Sequence, residues 1–297
     1  MSGVQKVLLK LRKNVQDGDY YEAYQMYHSV SQRFVKQKKQ DQAVQLLMDG
    51  IKTMNQYNQH ASALDLAERL MELYSSPNTD AIAHLAQAFY SFPLDSAQCD
   101  LFIKSVLKWS KNDVNLNHIF GCRYAKEGQY YNAETHLING TLDSIKVLAD
   151  MELEFSKLGN MNDAGYYISR ACLPLLVMGK YSEAKTCLEL YTAGLNPELL
   201  VENVQDTPVS SHKLFNFIQI LIAAIGRNQG QLFSTIVNNY QSELSFDSFL
   251  TDCVAQVGKV FFGIGLKQKQ TNPFAEIMKN MLNPAPQLQI ADDMDMD

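Results

Sequence analysis

A repeated turn constrains the fold of this chain more than any other feature. The segment Gly18-Asp19-Tyr20-Tyr21-Glu22-Ala23 recurs in related form at Gly128 and Gly179, and more weakly at Gly159. In such a turn the glycine ends one helix in a left-handed conformation, the aromatic residue packs back onto that helix, and the small alanine lets the next helix approach closely. Turns of this type join the helices of tetratricopeptide-like hairpins. Their irregular spacing predicts a divergent α-solenoid and not a regular array.

The segments between the turns have the apolar periodicity of amphipathic helices. In residues 58–74, for example, one helix face collects Ala61, Leu64, Ala67, Leu70 and Met71. Strand-like valines occur only in residues 199–212, which fit either a short β-hairpin or an irregular loop. We therefore predict an all-α fold, a right-handed α-solenoid of tetratricopeptide-like helical hairpins, with a short β-hairpin or loop near 199–212.

Composition excludes several classes of function. The 297-residue chain has a net charge of −6, opposite in sign to that of a dedicated nucleic-acid-binding protein. Its five cysteines include no CxxC pair, which indicates reduced thiols. Residues 1–14 lack the apolar segment of a secretory signal, and the most apolar stretch, residues 215–225, is too short for a membrane helix. These features predict a cytosolic protein with no nucleic-acid partner and no direct membrane insertion.

The sequence contains no pattern that indicates catalysis. It lacks the motifs of phosphate-binding loops, zinc proteases and serine hydrolases. Its six histidines are scattered, and the nearest two, His118 and His136, are not at a spacing by which a helix would bring metal ligands together. We therefore predict a protein that is not an enzyme, with no catalytic residue, no cofactor and no metal.

The first candidate region for partner binding is basic. It lies in the first two predicted helices and includes Lys6, Lys10, Arg12, Lys13, Arg33, Lys36, Lys38 and Lys39. The spacing of Lys6, Lys10 and Lys13 places them on one helix face. This pattern fits either a solvated face or an electrostatic docking face for an acidic protein partner. Membrane-surface binding is disfavoured because the apolar residues of the first helix are needed to pack the end of the solenoid.

The second candidate region is the apolar C-terminal third. Residues 215–225 are followed by Val254, Val257, Val260, Phe261 and Phe262, and then by an apolar segment at 273–282. A solenoid end this apolar must be capped by its own chain or covered by a partner. Core packing is favoured for the first two stretches. For Phe274, Ile277, Met278 and Met281, a partner groove and a self-docked capping helix stay open as alternatives.

Five segments, taken in order along the chain, resemble the Get4 family, the α-solenoid subunit of the guided-entry pathway for tail-anchored membrane proteins. They are residues 18–23 with 33–36, 107–110, 127–141, 214–218, and 258–263 with 267–268. Each motif is common by itself, but five in this order at fitting distances are specific. The likeness extends from about residue 4 to about residue 282.

The resemblance implies a scaffold that binds proteins at two ends. In that family the N-terminal helices dock the homodimeric ATPase that carries tail-anchored proteins to the endoplasmic reticulum. The C-terminal helices hold a ubiquitin-like-domain protein that recruits a tetratricopeptide co-chaperone, and in animals a BAG-domain protein joins the complex. The resemblance thus implies a cytosolic adaptor that bridges the ATPase and the ubiquitin-like protein.

Carried onto this sequence, the resemblance implies particular regions and residues. It assigns 1–150 to ATPase docking and 151–283 to docking of the ubiquitin-like partner, whereas the acidic, proline-containing composition of 284–297 predicts a disordered tail. The ATPase would meet Lys10, Lys13, Tyr20, Tyr21, Glu22, Arg33, Lys36 and Lys38. The ubiquitin-like protein would bind around Phe215, Phe217, Phe261, Phe262, Phe274, Ile277 and Met278, next to the 199–212 connection.

Other helical adaptors are the alternatives. A proteasome-lid or signalosome subunit would end in a winged-helix module with a β-ribbon, and residues 246–297 contain no such pattern. A vesicle-coat solenoid is a further member of this class. A peptide-binding co-chaperone with a basic carboxylate clamp requires regular repeats along one concave groove, and the irregular turn spacing disfavours it.

Overall fold

The computed structural model describes residues 3–158, 164–195, 200–204, 207–210 and 213–264, and these residues are almost entirely helical. The helices are α1 (Gly3–Asp17), α2 (Tyr20–Lys36), α3 (Gln40–Gln56), α4 (His60–Glu72), α5 (Thr79–Phe89), α6 (Ala97–Ser110), α7 (Val114–Lys126), α8 (Tyr130–Ile138), α9 (Leu142–Leu158), α10 (Ala164–Val177), α11 (Tyr181–Gly194), α12 (Lys213–Gly226), α13 (Gly230–Asn239), α14 (Gln241–Leu244) and α15 (Ser248–Phe262). Two strands, β1 (Leu200–Val204) and β2 (Thr207–Ser210), separate α11 from α12.

The chain divides into two compact units, which we call unit 1 (Met1–Met151) and unit 2 (Glu152–Asp297). In unit 1, helices adjacent in sequence pack against each other, as in the pairs α2 with α3, α3 with α4, and α7 with α8. Unit 2 is organised around α10, which packs against α11, α12 and α15. Both units bury aromatic side chains in their cores. These include Tyr27, Phe89, Phe102 and Phe120 in unit 1, and Tyr191, Phe215, Phe217 and Phe233 in unit 2.

The predicted glycine turns form as expected. Gly18, Gly128 and Gly179 have φ angles of 83°, 72° and 74°, in the left-handed region. The amide of the residue after each glycine bonds to the carbonyl five residues back, as Asp19 N does to Asn14 O at 2.8 Å. The alanines five residues after the glycines, Ala23, Ala133 and Ala184, are fully buried. The weaker copy at 159–164 falls largely outside the described residues.

The same turn also forms without glycine. Lys38, Asn58 and Asn228 have φ angles of 59°, 60° and 52°. The following amides make the same bond, as Lys39 N does to Phe34 O at 2.9 Å. Ala43 and Ala63 are buried five residues after the first two, and Phe233 takes the corresponding place after the third. These copies have no glycine, so the glycine pattern of the sequence does not mark them, whereas packing requires only the left-handed residue and the buried one that follows.

The connection between α11 and α12 contains a β-hairpin. Strands β1 and β2 are antiparallel, with Leu200 opposite Ser210 and Val201 opposite Val209. The register shifts between Val201 and Val204, which marks an irregularity in β1. Strand β2 contacts α12. Of the two alternatives for 199–212, the described residues therefore form the hairpin.

Candidate partner-binding surfaces

The basic residues of unit 1 project from the faces of α1 and α2 that lie away from the core. Leu11 and Asn14 of α1 are buried, whereas Lys10 and Lys13 are exposed. In α2 the buried face is formed by Ala23, Tyr27, Val30, Ser31 and Phe34. This places Arg33 and Lys36 on the solvent side, and the exposed Lys38 follows in the turn. We call Lys10, Lys13, Arg33, Lys36 and Lys38 the basic surface.

The cations of the basic surface make no ion pair with any residue that the structure describes. In the same part of the chain, the one ion pair of α4 joins Arg69 Nε to the Asp65 carboxylate at 2.9 Å. The positive charges of the basic surface are therefore not neutralised by ion pairs with described residues. A surface of this kind can steer an acidic partner and set its register.

The aromatic residues at the start of α2 have different environments. Tyr21 is 74% exposed, and Glu22 beside it is also exposed. Tyr20 is half-buried because its ring stacks on Tyr57 in the turn between α3 and α4, with ring centroids 4.9 Å apart. Of the three predicted contact residues at this turn, Tyr21 and Glu22 are thus fully accessible, and Tyr20 presents only part of its ring.

Tyr24 connects this aromatic end to α4. Its hydroxyl donates to the Asp65 carboxylate at 2.9 Å, and Arg69 bonds to the same oxygen. Burial and the nearby Asp65 carboxylate raise the pKa of Tyr24, so the phenol stays protonated and acts as the donor. This link holds the outer faces of α2 and α4 together.

A cleft of about 450 Å³ lies further along these two helices. Its lining residues are Ser31, Gln32, Val35 and Lys36 of α2, Leu47 of α3, Arg69 and Glu72 of α4, and Leu73, the residue that follows α4. Lys36 is the one residue of the basic surface in this lining. Sequence reasoning did not find the cleft because its walls come from α2 and α4, whose residues meet only when the hairpins stack.

The predicted aromatic site of unit 2 is only partly at the surface. Phe215 and Phe217 are 1% and 0% exposed, so they lie in the core of unit 2 and are not available to contact a partner. Their burial corrects the prediction that they contact the ubiquitin-like partner directly. They are buried because α12 is apolar on nearly all sides and is covered by α10, α11 and α13. Phe261 and Phe262 are half-buried. Phe274, Ile277 and Met278 lie outside the described residues.

The end of α15 supplies the accessible apolar side chains of this region. Val260 is 51% exposed, and Phe261 lies beside it. The Phe262 ring packs against the ring of the buried Phe233, with ring centroids 5.1 Å apart. The sequence did not single out Val260 as a contact residue, although its position among apolar neighbours on α15 is a signal that could have found it.

The described residues provide no environment that activates a nucleophile. Burial raises the pKa of Cys99 to about 11 and that of Cys253 to about 12, which disfavours the reactive thiolate. His118 Nδ1 lies 2.9 Å from Ser144 Oγ, but Ser144 is fully buried and out of reach of a substrate. Within the described ranges, no three or more His, Cys, Asp or Glu side chains are grouped so that they could hold a metal ion.

None of the helices described above combines the length and the apolar character needed to cross a bilayer.

Comparisons with known proteins agree with this architecture. The crystal structure of Get4 from C. therm. superposes with a TM-score of 0.77 at 25% identity, covering 97% of this chain and 99% of that one. Golgi to ER traffic protein 4 of Aspergillus fumigatus is 28% identical, over 95% of this chain and 90% of the relative. The human Golgi to ER traffic protein 4 homolog is 27% identical, over 94% of this chain and 86% of the relative.

These findings first define the class of protein. The chain is an all-α solenoid of helical hairpins, and this confirms the predicted fold class. The family described as "GET4: Golgi to ER traffic protein 4" then matches residues 37–282, which is most of the chain. The chain belongs to the Golgi to ER traffic protein 4 family, and the resemblance found in the sequence is confirmed.

Proposed function

We propose that this chain is a cytosolic scaffold without catalytic activity that serves the targeting of tail-anchored membrane proteins to the endoplasmic reticulum. It bridges a homodimeric targeting ATPase and a ubiquitin-like-domain protein. Membership of a family whose relatives are named for Golgi to ER traffic supports this role. The single observation that carries the ATPase half is the basic surface, whose five cations are exposed and make no ion pair with described residues.

The ATPase docks on residues 1–150. Its acidic surface approaches the cations of α1 and α2, and its contact extends to Tyr20, Tyr21 and Glu22 at the preceding turn. Attraction between unlike charges raises the association rate and fixes the orientation of the complex. Screening by salt then weakens the encounter, so we expect the affinity to fall as ionic strength rises.

The ubiquitin-like protein docks on residues 151–283. The hairpin β1–β2, which contacts α12, and the end of α15 with Val260, Phe261 and Phe262 support this assignment. Apolar side chains that remain accessible at the end of a helical stack favour a covering partner. Phe274, Ile277 and Met278 belong to the same proposed contact, and the acidic segment 284–297 lies outside the described residues.

Bridging is the mechanism by which such a scaffold acts without chemistry. The ubiquitin-like protein brings a tetratricopeptide co-chaperone that holds the client, and a BAG-domain protein is a further partner. By holding donor and acceptor in one complex, the chain raises their effective concentration relative to each other. If it binds the ATP-bound ATPase more tightly than the apo form, linkage requires that it also stabilise the ATP-bound form for client loading.

Partner capture from cytosol tests this proposal. The triple variant Lys10→Glu/Lys13→Glu/Lys36→Glu should lose the ATPase and keep the ubiquitin-like protein. A matched control, Lys104→Glu/Lys108→Glu/Lys111→Glu, makes the same charge change at three other exposed lysines of unit 1 and should keep both partners. Equal loss of the ATPase in both variants would show only a net-charge effect and would contradict docking at the basic surface.

The apolar half of the bridge has its own variant pair. Val260→Asp/Phe261→Asp should lose the ubiquitin-like protein and retain the ATPase. Phe246→Asp changes an aromatic residue of the same unit that is 84% exposed, and it should lose neither. Capture of no ATPase and no ubiquitin-like protein by the unaltered chain would overturn the proposed function.

A further inference from the structure

The connection between α4 and α5 combines a sequence signal with unusual accessibility. It reads Ser75-Ser76-Pro77, and Ser76 is therefore followed directly by proline. Proline has a fixed φ and no amide hydrogen, and it disfavours the helical conformation in the residue before it. A serine in this context is a substrate for proline-directed kinases, which bind an extended segment and accept proline after the reacting hydroxyl.

The connection is accessible over its whole length. Residues 75–80 are all exposed. The loop is held at both sides: the Tyr74 hydroxyl lies 2.7 Å from His84 Nδ1, and the Asn78 side chain accepts from Ala81 N at 2.8 Å. The hydroxyls of Ser75 and Ser76 make no hydrogen bond to any residue in the described ranges. An enzyme can therefore engage Ser76 without breaking a side-chain contact.

We propose that Ser76 is a phosphorylation site for a proline-directed serine/threonine kinase, and that the phosphate weakens docking of the acidic ATPase at the α2–α4 cleft. The second half of this statement rests on the proposed function. In the reaction, Ser76 Oγ attacks the γ-phosphorus of ATP, and the bond from that phosphorus to the β,γ-bridging oxygen breaks. ADP leaves, and the hydroxyl proton passes to the carboxylate base of the kinase.

The position of the loop links the phosphate to the cleft. Leu73 lines the cleft together with Lys36, and Gln40 Nε2 donates to the Leu73 carbonyl at 2.9 Å. Ser76 follows Leu73 by three residues, so it lies within about 11 Å of Leu73 even if the chain is fully extended. At low salt, about 0.01 M, the Debye length is about 30 Å and exceeds this distance, whereas at physiological ionic strength it is about 8 Å and screening weakens the interaction. A negative charge on Ser76 therefore lowers the electrostatic potential at this end of the cleft.

The local charge balance decides the direction of the effect. The cleft lining holds two cations, Lys36 and Arg69, and one anion, Glu72, and Arg69 is paired with Asp65. At the loop itself, burial raises the pKa of Tyr74, and the negative charges of Asp80 and Asp41 raise it further. A phosphate adds about 1.5 to 2 negative charges. The edge of the cleft then becomes clearly acidic, which repels an acidic partner and slows its association.

The modification is tested on the full chain with a purified proline-directed kinase of the mitogen-activated class, Mg²⁺ and ATP. Phosphopeptide mapping by mass spectrometry should find a phosphate in the 75–77 loop of the unaltered chain and of Ser75→Ala, and none in that loop of Ser76→Ala. Thr207, which also precedes a proline, is mapped separately. Ser75 is the matched control because it is equally exposed but is not followed by proline. Absence of phosphate from this loop in the unaltered chain, or equal incorporation into the loop in Ser76→Ala, would overturn the site.

The effect on docking is then measured with the purified ATPase. The phosphorylated chain should associate about fivefold or more slowly than the unmodified chain at low salt, with a smaller ratio at high salt. If the unmodified chain binds and phosphorylation changes nothing, the regulatory inference fails while the proposed function stands. If the unmodified chain does not bind the ATPase at all, the proposed function fails and the regulatory effect fails with it.

Discussion

The two candidate surfaces differ in how their residues relate to the core. In unit 1 the predicted cations are exposed, because the same helices turn a separate apolar face inward. In unit 2 two of the predicted aromatics, Phe215 and Phe217, are themselves the core. Charged residues on an amphipathic helix therefore indicate a solvent-accessible face. An apolar residue on a helix that is apolar on all sides indicates a buried side chain instead.

Among the variants that test this difference between the two regions, Phe217→Ala should have the largest effect on the free energy of unfolding. Truncation of this fully buried ring should lower the free energy of unfolding by about 3 to 5 kcal/mol, through lost apolar burial and a residual cavity. Phe246→Ala, at a ring that is 84% exposed, should change it by less than about 0.5 kcal/mol. Urea denaturation of both variants checks the difference. A Phe217 variant as stable as the Phe246 variant would contradict the core assignment.

The contact between α10 and α12 gives the next largest effect. A Cβ added at Gly165 would lie 2.4 Å from the backbone nitrogen of Phe215, so one of the two helices must shift. We expect Gly165→Ala to destabilise the chain by about 1 to 3 kcal/mol. At Gly194 the nearest atom is the flexible Cδ2 of Leu153, also at 2.4 Å. Because that side chain can move, Gly194→Ala should cost clearly less in the same denaturation assay, and an equal cost would argue against tight α10–α12 packing.

Acid sensitivity should distinguish unit 1. The His136 ring stacks on Tyr124 with centroids 5.6 Å apart, and its Nδ1 lies 3.0 Å from Asn117 Oδ1. Burial lowers the pKa of His136 to about 4. Its pKa in the unfolded chain is near 6.5, so the unfolded state binds more protons between these two values. The stabilisation is complete above pH of about 6.5 and is lost as the pH falls towards 4.

Urea denaturation between pH 7 and pH 4.5 checks this sign. The unaltered chain should lose stability as the pH falls, by less than about 1.4 kcal/mol per pH unit from this group, because the folded and unfolded states differ by less than one proton at this ring. His136→Gln should remove that part of the slope. Identical slopes for the two chains would show that His136 does not contribute.

The smallest predicted effect concerns the turn at Lys38. Its φ of 59° is left-handed, which costs a side-chain-bearing residue about 1 kcal/mol relative to glycine. Lys38→Gly should therefore leave stability unchanged or raise it by up to about 1 kcal/mol, while it weakens ATPase binding slightly by removing one cation. Thermal denaturation and an ATPase titration of the same variant separate the two effects. Clear destabilisation would contradict the equivalence of this turn with the glycine turns.

The sequence predicted the helical-hairpin architecture because glycine, aromatic and alanine residues recur at fixed offsets in three described turns. It missed the turns at Lys38, Asn58 and Asn228, since a left-handed conformation imposed by packing leaves no glycine to recognise. Pro174 is a related case, because it lies inside α10 although proline usually ends a helix. Local residue preference identifies an element only where tertiary packing does not override it.

The candidate sites show the same limit. Exposed cations could be located from helix periodicity alone, because it separates the faces of one helix. The burial of Phe215 and Phe217 agrees with the core packing favoured for 215–225, and only the contact role that the resemblance implied for them is corrected. The α2–α4 cleft depends on which helices become neighbours, and the sequence of a single helix does not contain that information.

Simultaneous binding is the central claim, and sedimentation velocity with purified components measures it most directly. The unaltered chain, the targeting ATPase and the ubiquitin-like protein should sediment as one complex that contains all three. The triple variant Lys10→Glu/Lys13→Glu/Lys36→Glu should leave only the complex with the ubiquitin-like protein. Two separate binary complexes that compete for the unaltered chain, with no ternary species at any ratio, would contradict the bridge.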